Sequence, residues 1–249
     1  MATKKKLRVL LTRENNAALA ESLRQGGVDV IEIPLIKTTQ CEINEDIDDV
    51  MREMGSYDWI TFSSVNGVRA FFDIFFKKFD DIRSLGIARI ACVGEATAAE
   101  VRKLHLNVDV VPVLSTAVAM ADAMAEYESL DNLKILCVQG NISRPDLLKS
   151  LDEKYHAIVD TAVVYNTDFV EVSSDTPAVK DFRKNGADIV VFASPSAVDS
   201  FVKNAKSLLL SDKAVHPKIY SIGPTTTEAL KKYNMKPHKE SADILTAIS

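Results

Sequence analysis

The stretch DWITFSSVNGVRAFF, residues 58–72, returns 130 residues later as DIVVFASPSAVDSF, residues 188–201. Asp58, Phe62, Ser64, Val68 and Phe71 reappear as Asp188, Phe192, Ser194, Val198 and Phe201. Each copy opens with a short β-prone apolar run, passes through small polar residues, and then spaces its apolar side chains three and four apart. That order reads as strand, turn and helix. The run 189–193 is almost continuously apolar, as expected of a strand whose sheet is covered on both faces. Further out, Gly94 and Thr97 recur as Gly223 and Thr226 at an offset of 129, again between a strand-like and a helix-like segment. A weaker echo relates residues 8–12 to 134–138 at an offset of 126. The two halves are copies of one fold.

Along the whole chain, strand-like runs at 8–12, 28–33, 59–63, 89–93, 108–111, 134–138, 157–165, 189–192 and 218–222 alternate with segments of helical period at 68–79, 96–104, 116–127, 145–154, 196–210 and 225–233. Alternation of this kind predicts an α/β protein with parallel sheets and helices on both faces. The order of the copied pieces is informative. A strand, helix, strand piece opens one copy at residues 7–34 and reappears at the end of the other, at 134–165. Residues 38–166 therefore count as a complete five-strand domain, inserted into a discontinuous one made of 1–36 plus 170–249. The expectation is two flavodoxin-like parallel-sheet domains joined by a short two-stranded linker near 34–38 and 165–170, able to move against each other, with the ligand site in a cleft between them.

Composition narrows the class. The 249 residues are 47% hydrophobic and 26% charged, with 9 Gly and 8 Pro, an ordinary globular balance. A net charge of −5, with a single basic run at Lys4, Lys5 and Lys6, argues against nucleic acid as a partner and leaves that run as a solvated tail. The apolar stretch behind it is too short and too charged for a signal peptide, and no run approaches the ~18 residues of a membrane span. A cytoplasmic protein with no membrane partner is expected. Cys41, Cys92 and Cys137 are odd in number and set in apolar segments, which suits reduced core thiols. His105, His156, His216 and His238 share no ligand spacing, so no metal is expected.

In open parallel sheets ligands bind beyond the carboxyl ends of strands, where helix N-termini present free N–H groups. Small polar residues gather at these corners: Thr12 and Arg13; Ser63, Ser64 and Asn66; Gly94 and Thr97; Gly140 to Arg144; Ser194 and Ser196; and Gly223, Thr225 and Thr226. Any one corner is equally well explained by helix capping. Matched corners in both copies suggest a large polyanion held mostly by backbone amides, with Gly140 and Gly223 letting the backbone come close. The chain has no G-x-G-x-x-G, Walker lysine or G-x-S-x-G motif, which removes the main support for dinucleotide, nucleoside-triphosphate and serine-hydrolase readings.

At these corners the sequence resembles the uroporphyrinogen-III synthases. The matching segments are FSSVNGVRAFF (62–72), ACVGEATAAEV (91–101), QGNISRPDLL (139–148), VDTAVVYNT (159–167), FASPSAVDSF (192–201) and SIGPTTTEAL (221–230), in order and spanning almost the whole chain. One departure is Glu14 after Arg13, where the family often has Pro. The resemblance implies a lyase without cofactor that cyclises hydroxymethylbilane to uroporphyrinogen III, inverting ring D and losing water, in tetrapyrrole and haem biosynthesis. It implies Tyr165 as the catalytic proton donor. Arg13, Ser63, Ser64, Asn66, Gly94, Thr97, Gly140, Arg144, Ser194, Ser196, Gly223, Thr225 and Thr226 are expected to bind substrate. A monomer is expected, in transient contact with the preceding pathway enzyme. Two other readings stay open on the residues alone: a two-domain small-ligand-binding protein without catalysis, and a pair of flavodoxin-like interaction modules.

Overall fold

A computed structural model describes residues 6–248; Lys4 and Lys5 of the basic run lie outside the described residues. The chain opens with β1 (Arg8–Leu11), α1 (Ala17–Gln25) and β2 (Asp29–Glu32). It continues through β3 (Ile36–Gln40), α2 (Glu45–Arg52), β4 (Trp59–Phe62), α3 (Val65–Lys78), β5 (Arg89–Cys92), α4 (Glu95–Arg102) and α5 (Ala117–Tyr127). Next come β6 (Lys134–Gly140), α6 (Asp146–Lys149) and β7 (Ile158–Phe169). The last part holds α7 (Pro177–Asn185), β8 (Ile189–Phe192), α8 (Pro195–Lys203), β9 (Lys218–Ser221), α9 (Pro224–Lys232), β10 (Lys239–Glu240) and α10 (Ile244–Ile248).

By its own contacts the chain divides into two units, one of the described residues up to Lys37 and from Asp168 onward, the other of Thr38–Thr167. The chain crosses between them within β3 and again within β7. The first unit's sheet runs β10-β9-β8-β1-β2, with parallel pairing of β1 to β2, β1 to β8, β8 to β9 and β9 to β10. The second sheet runs β3-β7-β6-β4-β5, with β4–β5, β4–β6 and β6–β7 parallel.

The repeat has a physical basis at both ends of its strands. At the amino end, Asp58 accepts the Lys134 N–H through its carboxylate at 2.8 Å and donates its own N–H to the Lys134 carbonyl at 2.9 Å. Asp188 makes the same double clip on Arg8, both bonds at 2.8 Å. Each clip sets the register of a central strand against its neighbour. At the carboxyl end, Ser64 and Ser194 adopt the same extended backbone (φ −159°, ψ 155° and φ −161°, ψ 156°) and cap α3 and α8 by accepting the N–H of Gly67 and Ala197. Beyond its cap α3 buries Val68, Phe71, Phe72 and Phe75. This is the i, i+3, i+4, i+7 stripe that the sequence spacing predicts, and each such side chain contributes roughly 1.5–3 kcal/mol of burial. Phe62 of β4 meets Phe71 edge-on at 5.5 Å, and Phe192 of β8 meets Phe201 in the same way at 5.2 Å.

Several elements differ from expectation. Residues 108–111 form no strand, only one bridge between Val110 and Ala91. There the Asp109 carboxylate takes the Ile90 N–H at 2.8 Å, and Pro112 has no N–H to continue a ladder. The second unit's fifth strand is β3, on the opposite edge. The helix expected over 196–210 stops at Lys203 because Asn204 turns the chain, its side chain accepting the Val172 N–H at 2.8 Å and donating to the carbonyls of Val170 and Ser200, each at 2.9 Å. The helix expected over 145–154 is one α-turn followed by a π-turn at Ser150–Lys154. Helices α2, α7 and α10 and strand β10 fall in segments with no element expected. No described helix is long and apolar enough to cross a membrane. No described group of three or more His, Cys, Asp or Glu side chains is gathered as a metal site requires. Cys92 and Cys137 are buried, which pushes both thiols up to about 12.

Candidate active site

The corner where β6 and β7 end is built around a β-bulge. The two strands pair from Lys134 with Ile158 up to Gln139 with Val163, but the next pair is Gly140 with Tyr165, leaving Val164 as an extra residue. Bulges of this kind re-aim side chains. Here Val164 and Tyr165 both pack on the cluster that holds the apolar face of α3. The end of β7 is then held in place by Asn141, whose N–H donates to the Tyr165 carbonyl at 3.1 Å and whose side-chain oxygen accepts the Thr167 N–H at 2.8 Å.

The phenol of Tyr165 lies over Gly140. A Cβ on Gly140 would stand 2.6 Å from Cε2 and Cζ of the ring and 3.0 Å from Oη. The space on the Cβ side of Gly140 is therefore filled by the tyrosine itself. Across the ring, Oη lies 3.0 Å from Oγ of Ser64, which also accepts the Gly67 N–H at 2.9 Å. Burial pushes the phenol above its ordinary value of 10, and the Ser64 hydrogen bond opposes that shift. The group is thus a neutral O–H donor through the physiological range.

The other expected residues of this unit stand at the carboxyl ends of adjacent strands. Ser63 is half-buried after β4, Asn66 is exposed with Nδ2 3.5 Å from Thr38 Oγ1, and Arg144 is half-buried in the turn after β6. Gly94 caps α4 in extended backbone, and a Cβ there would meet Ser115 Oγ at 2.9 Å. Thr97 stands in the first turn of that helix. It is 4% exposed, because it lies with Ala98 and Val101 on the buried face of α4.

The first unit gathers its own set at the ends of β1, β8 and β9. Arg13 is exposed; Ser194 caps α8 and its Oγ is 2.9 Å from that of Ser196. Gly223 caps α9 with extended backbone, φ 179°, and a Cβ there would meet nothing within 4 Å. Thr225 is half-buried, whereas Thr226 is 3% exposed and faces inward with Ala229 and Leu230. Within each unit the expected residues therefore come together, apart from the two inward threonines. One contributor went unread, Gly67, whose amide anchors Ser64; Asn141, inside the expected corner 140–144, staples the end of β7. A glycine in the first turn of a helix, where propensity disfavours it, was the available signal for Gly67.

Comparison with known proteins identifies the family. The family described as uroporphyrinogen-III synthase HemD matches residues 17–244. The chain is 29% identical over 231 residues to the porphyrin biosynthesis protein HemD of Ruminiclostridium josui, covering 92% of this chain but only 44% of that protein. It is 28% identical over 233 residues to the uroporphyrinogen-III synthase of Chlorobaculum parvum, covering 92% of this chain and 90% of that one. Among solved structures, a mutant uroporphyrinogen III synthase of Thermus thermophilus superposes with a TM-score of 0.66 at 15% identity, over 94% of this chain and 92% of that one. The Helicobacter pylori uroporphyrinogen-III synthetase gives 0.61 at 14% identity, over 98% and 97%. At such identities these two likenesses speak for the fold, a mixed α/β architecture with two sheets dominated by parallel pairing. Since the family match runs through nearly every element of both units, the chain belongs to the uroporphyrinogen-III synthase family.

Proposed function

We propose that the protein is a uroporphyrinogen-III synthase, a cyclising lyase that converts hydroxymethylbilane into uroporphyrinogen III with inversion of ring D and loss of one water. The observation that carries this reading is the family match over residues 17–244. The half-buried, protonated phenol of Tyr165 at the carboxyl end of the second sheet supplies the chemistry the reaction needs. Tyr165 donates a hydrogen bond to the departing hydroxyl on ring A, and as the C–O bond breaks its proton goes with that oxygen, which leaves as water. The azafulvene cation formed then attacks ring D. Bringing the two ends of one chain-like substrate together is largely proximity catalysis. The reaction is not redox and needs no cofactor.

Binding follows from charge. The substrate carries eight carboxylates, and the whole chain carries −5. Lys and Arg outnumber Asp and Glu in the discontinuous unit, while acids dominate the inserted one. The polyanion is therefore drawn first to the former. Helix amino ends at Ser194 and Gly223, with Arg13 there and Arg144 on the inserted unit, supply local positive potential. We take the units as two flavodoxin-like domains, each offering corner residues to the substrate. The first sheet's order, numbered within its own unit, is 2-1-3-4-5 as in that fold. We further take the protein to be cytoplasmic and monomeric, with transient contact with the preceding pathway enzyme.

Incubation with hydroxymethylbilane tests the proposal. A synthase yields the type III isomer, whereas spontaneous closure yields type I. Type I alone, from folded protein at saturating substrate, rules the activity out.

A further inference from the structure

Ser64 serves two partners with one hydroxyl. Its oxygen accepts the Gly67 N–H at 2.9 Å, which caps α3, and it lies 3.0 Å from Oη of Tyr165. A serine hydroxyl has one hydrogen and two acceptor lone pairs. With a lone pair committed to Gly67, Ser64 still has its hydrogen to give to the phenol oxygen, which leaves the phenol's own hydrogen for another acceptor. The second copy of the fold shows that the cap has no need of a tyrosine. Ser194 caps α8 in the same backbone geometry, accepting the Ala197 N–H at 3.2 Å, and its oxygen meets Ser196 at 2.9 Å instead. The tyrosine contact is an addition to a repeated capping device, made in one copy only. It coincides with two other departures from regularity, the bulge at Val164 and the close seat on Gly140.

We propose that Ser64 is a positioning residue for Tyr165: it donates its hydrogen to the phenol oxygen, turns the phenol O–H outward, and stabilises the phenolate left when that proton departs. The proposal rests on Tyr165 as the proton donor. The proton balance closes. Tyr165 gives its hydrogen to the leaving hydroxyl, water departs with the C–O electron pair, and the phenolate, held by the Ser64 hydrogen bond, is reprotonated by the proton that ring closure releases. The groups against the ring, Ser64 and Gly67 at the start of α3 and Gly140 of β6, carry no charge. The serine is thus the polar handle on this phenol.

Ser64→Gly separates the two duties. Gly is a competent N-cap, and the protein itself caps α4 and α9 with Gly94 and Gly223 in extended backbone. Ser64→Gly is expected to keep Tm within a few degrees and KM within about twofold, while kcat falls roughly 10- to 100-fold. Ser64→Thr, which keeps a hydroxyl, is expected to restore kcat to within a few-fold of wild type. In the free enzyme labelled with 13Cζ-tyrosine, and assigned against Tyr165→Phe, the Tyr165 ionisation should move to higher pH in Ser64→Gly and stay in place in Ser64→Thr. A capping role alone would move neither kcat nor that titration. Unchanged kcat in Ser64→Gly, or an unmoved titration, overturns the proposal. If the titration moves but Tyr165→Phe turns over at the wild-type rate, the contact stands and the proton-donor reading of Tyr165 fails.

Discussion

Substituting Ala for Gly140 places one methyl group where the Tyr165 ring now lies. The new carbon would stand 2.6 Å from Cε2 and Cζ, against roughly 3.5–4.0 Å for carbon atoms in ordinary contact. Something must yield by about 1 Å. The backbone on both sides is pinned, since Gly140 pairs with Tyr165 across the sheet and Asn141 bonds both the Tyr165 carbonyl and the Thr167 N–H. The ring therefore moves, and a shift of that size takes Oη out of hydrogen-bond register with Ser64, now 3.0 Å away. Misplacing a catalytic group by about 1 Å can cost on the order of 10²-fold in rate, and overpacking a core costs roughly 1–3 kcal/mol. Gly140→Ala is accordingly expected to lower kcat about 10²-fold, to leave KM nearly unchanged, and to lower Tm by a few degrees.

Formation of type III product across a substrate series, alongside a thermal melt, measures all three quantities. The decisive control is the double variant. In a Tyr165→Phe background the hydroxyl is already gone, so adding Gly140→Ala should cost little more in kcat. A raised KM with intact kcat would instead mean that the Gly140 backbone itself docks a substrate carboxylate. Equal losses in both backgrounds would likewise refute an effect carried through the phenol.

Tyr165→Phe should lower kcat by ~10²–10⁴-fold with the fold intact. In the proposed mechanism the protonated phenol is the working form; with its ionisation raised above 10, wild-type kcat should stay flat through neutrality and fall only at pH values beyond 10, a limb that the Phe variant should lack. Gly223→Ala should raise KM without changing Tm, since a Cβ there meets no protein atom and the extended backbone suits any residue; a lowered Tm with normal KM would show a purely structural glycine. Arg144→Gln should raise KM at low ionic strength and less so as salt is added, as a charge-assisted contact requires; a salt-independent change would point to packing. Gly186→Ala should lower Tm sharply and activity only in proportion to the folded fraction. Its φ is +70° and a Cβ would lie 1.9 Å from the Val215 carbonyl oxygen, so normal stability there would contradict the chain path.

What could be read from the chain was what the repeat carries. Asp58 and Asp188, Ser64 and Ser194, and Phe71 and Phe201 have local duties, a strand clip, a helix cap and a core contact, and local duties leave fixed spacings. Residues 108–111 misled because Val108, Val110 and Val111 look alike whether or not they pair; the deciding groups were the Asp109 carboxylate among them and Pro112 beside them. Helix α8 misled in the opposite way, since the apolar period continues past Lys203 and only the tertiary bonds of Asn204 to Val170 and Val172 end it. The burial of Thr97 and Thr226 was legible in their own helices. Their helix-mates Ala98 and Val101, and Ala229 and Leu230, already marked the inward face.

The site was legible only in part, and the reason lies in how it departs from the repeat. Nothing in VVYNT or QGN announces that Val164 is an extra residue, because a bulge is a property of two strands together. Without the bulge, strict alternation would set Tyr165 on the opposite face from Val164 and away from Ser64. After β2 the chain reads IPLI, residues 33–36, with no tyrosine in the corresponding stretch, and there Ser194 bonds a neighbouring serine. Features present in both copies, the aspartate clips and the serine caps, are accounted for by folding alone. Features present in one copy, the bulge, the phenol and the glycine that seats it, are ones the other copy folds without. Such asymmetry is what the proposed chemistry, set on a repeated scaffold, would leave behind, and it directs mutagenesis to Ser64, Gly140 and Tyr165 as one coupled unit.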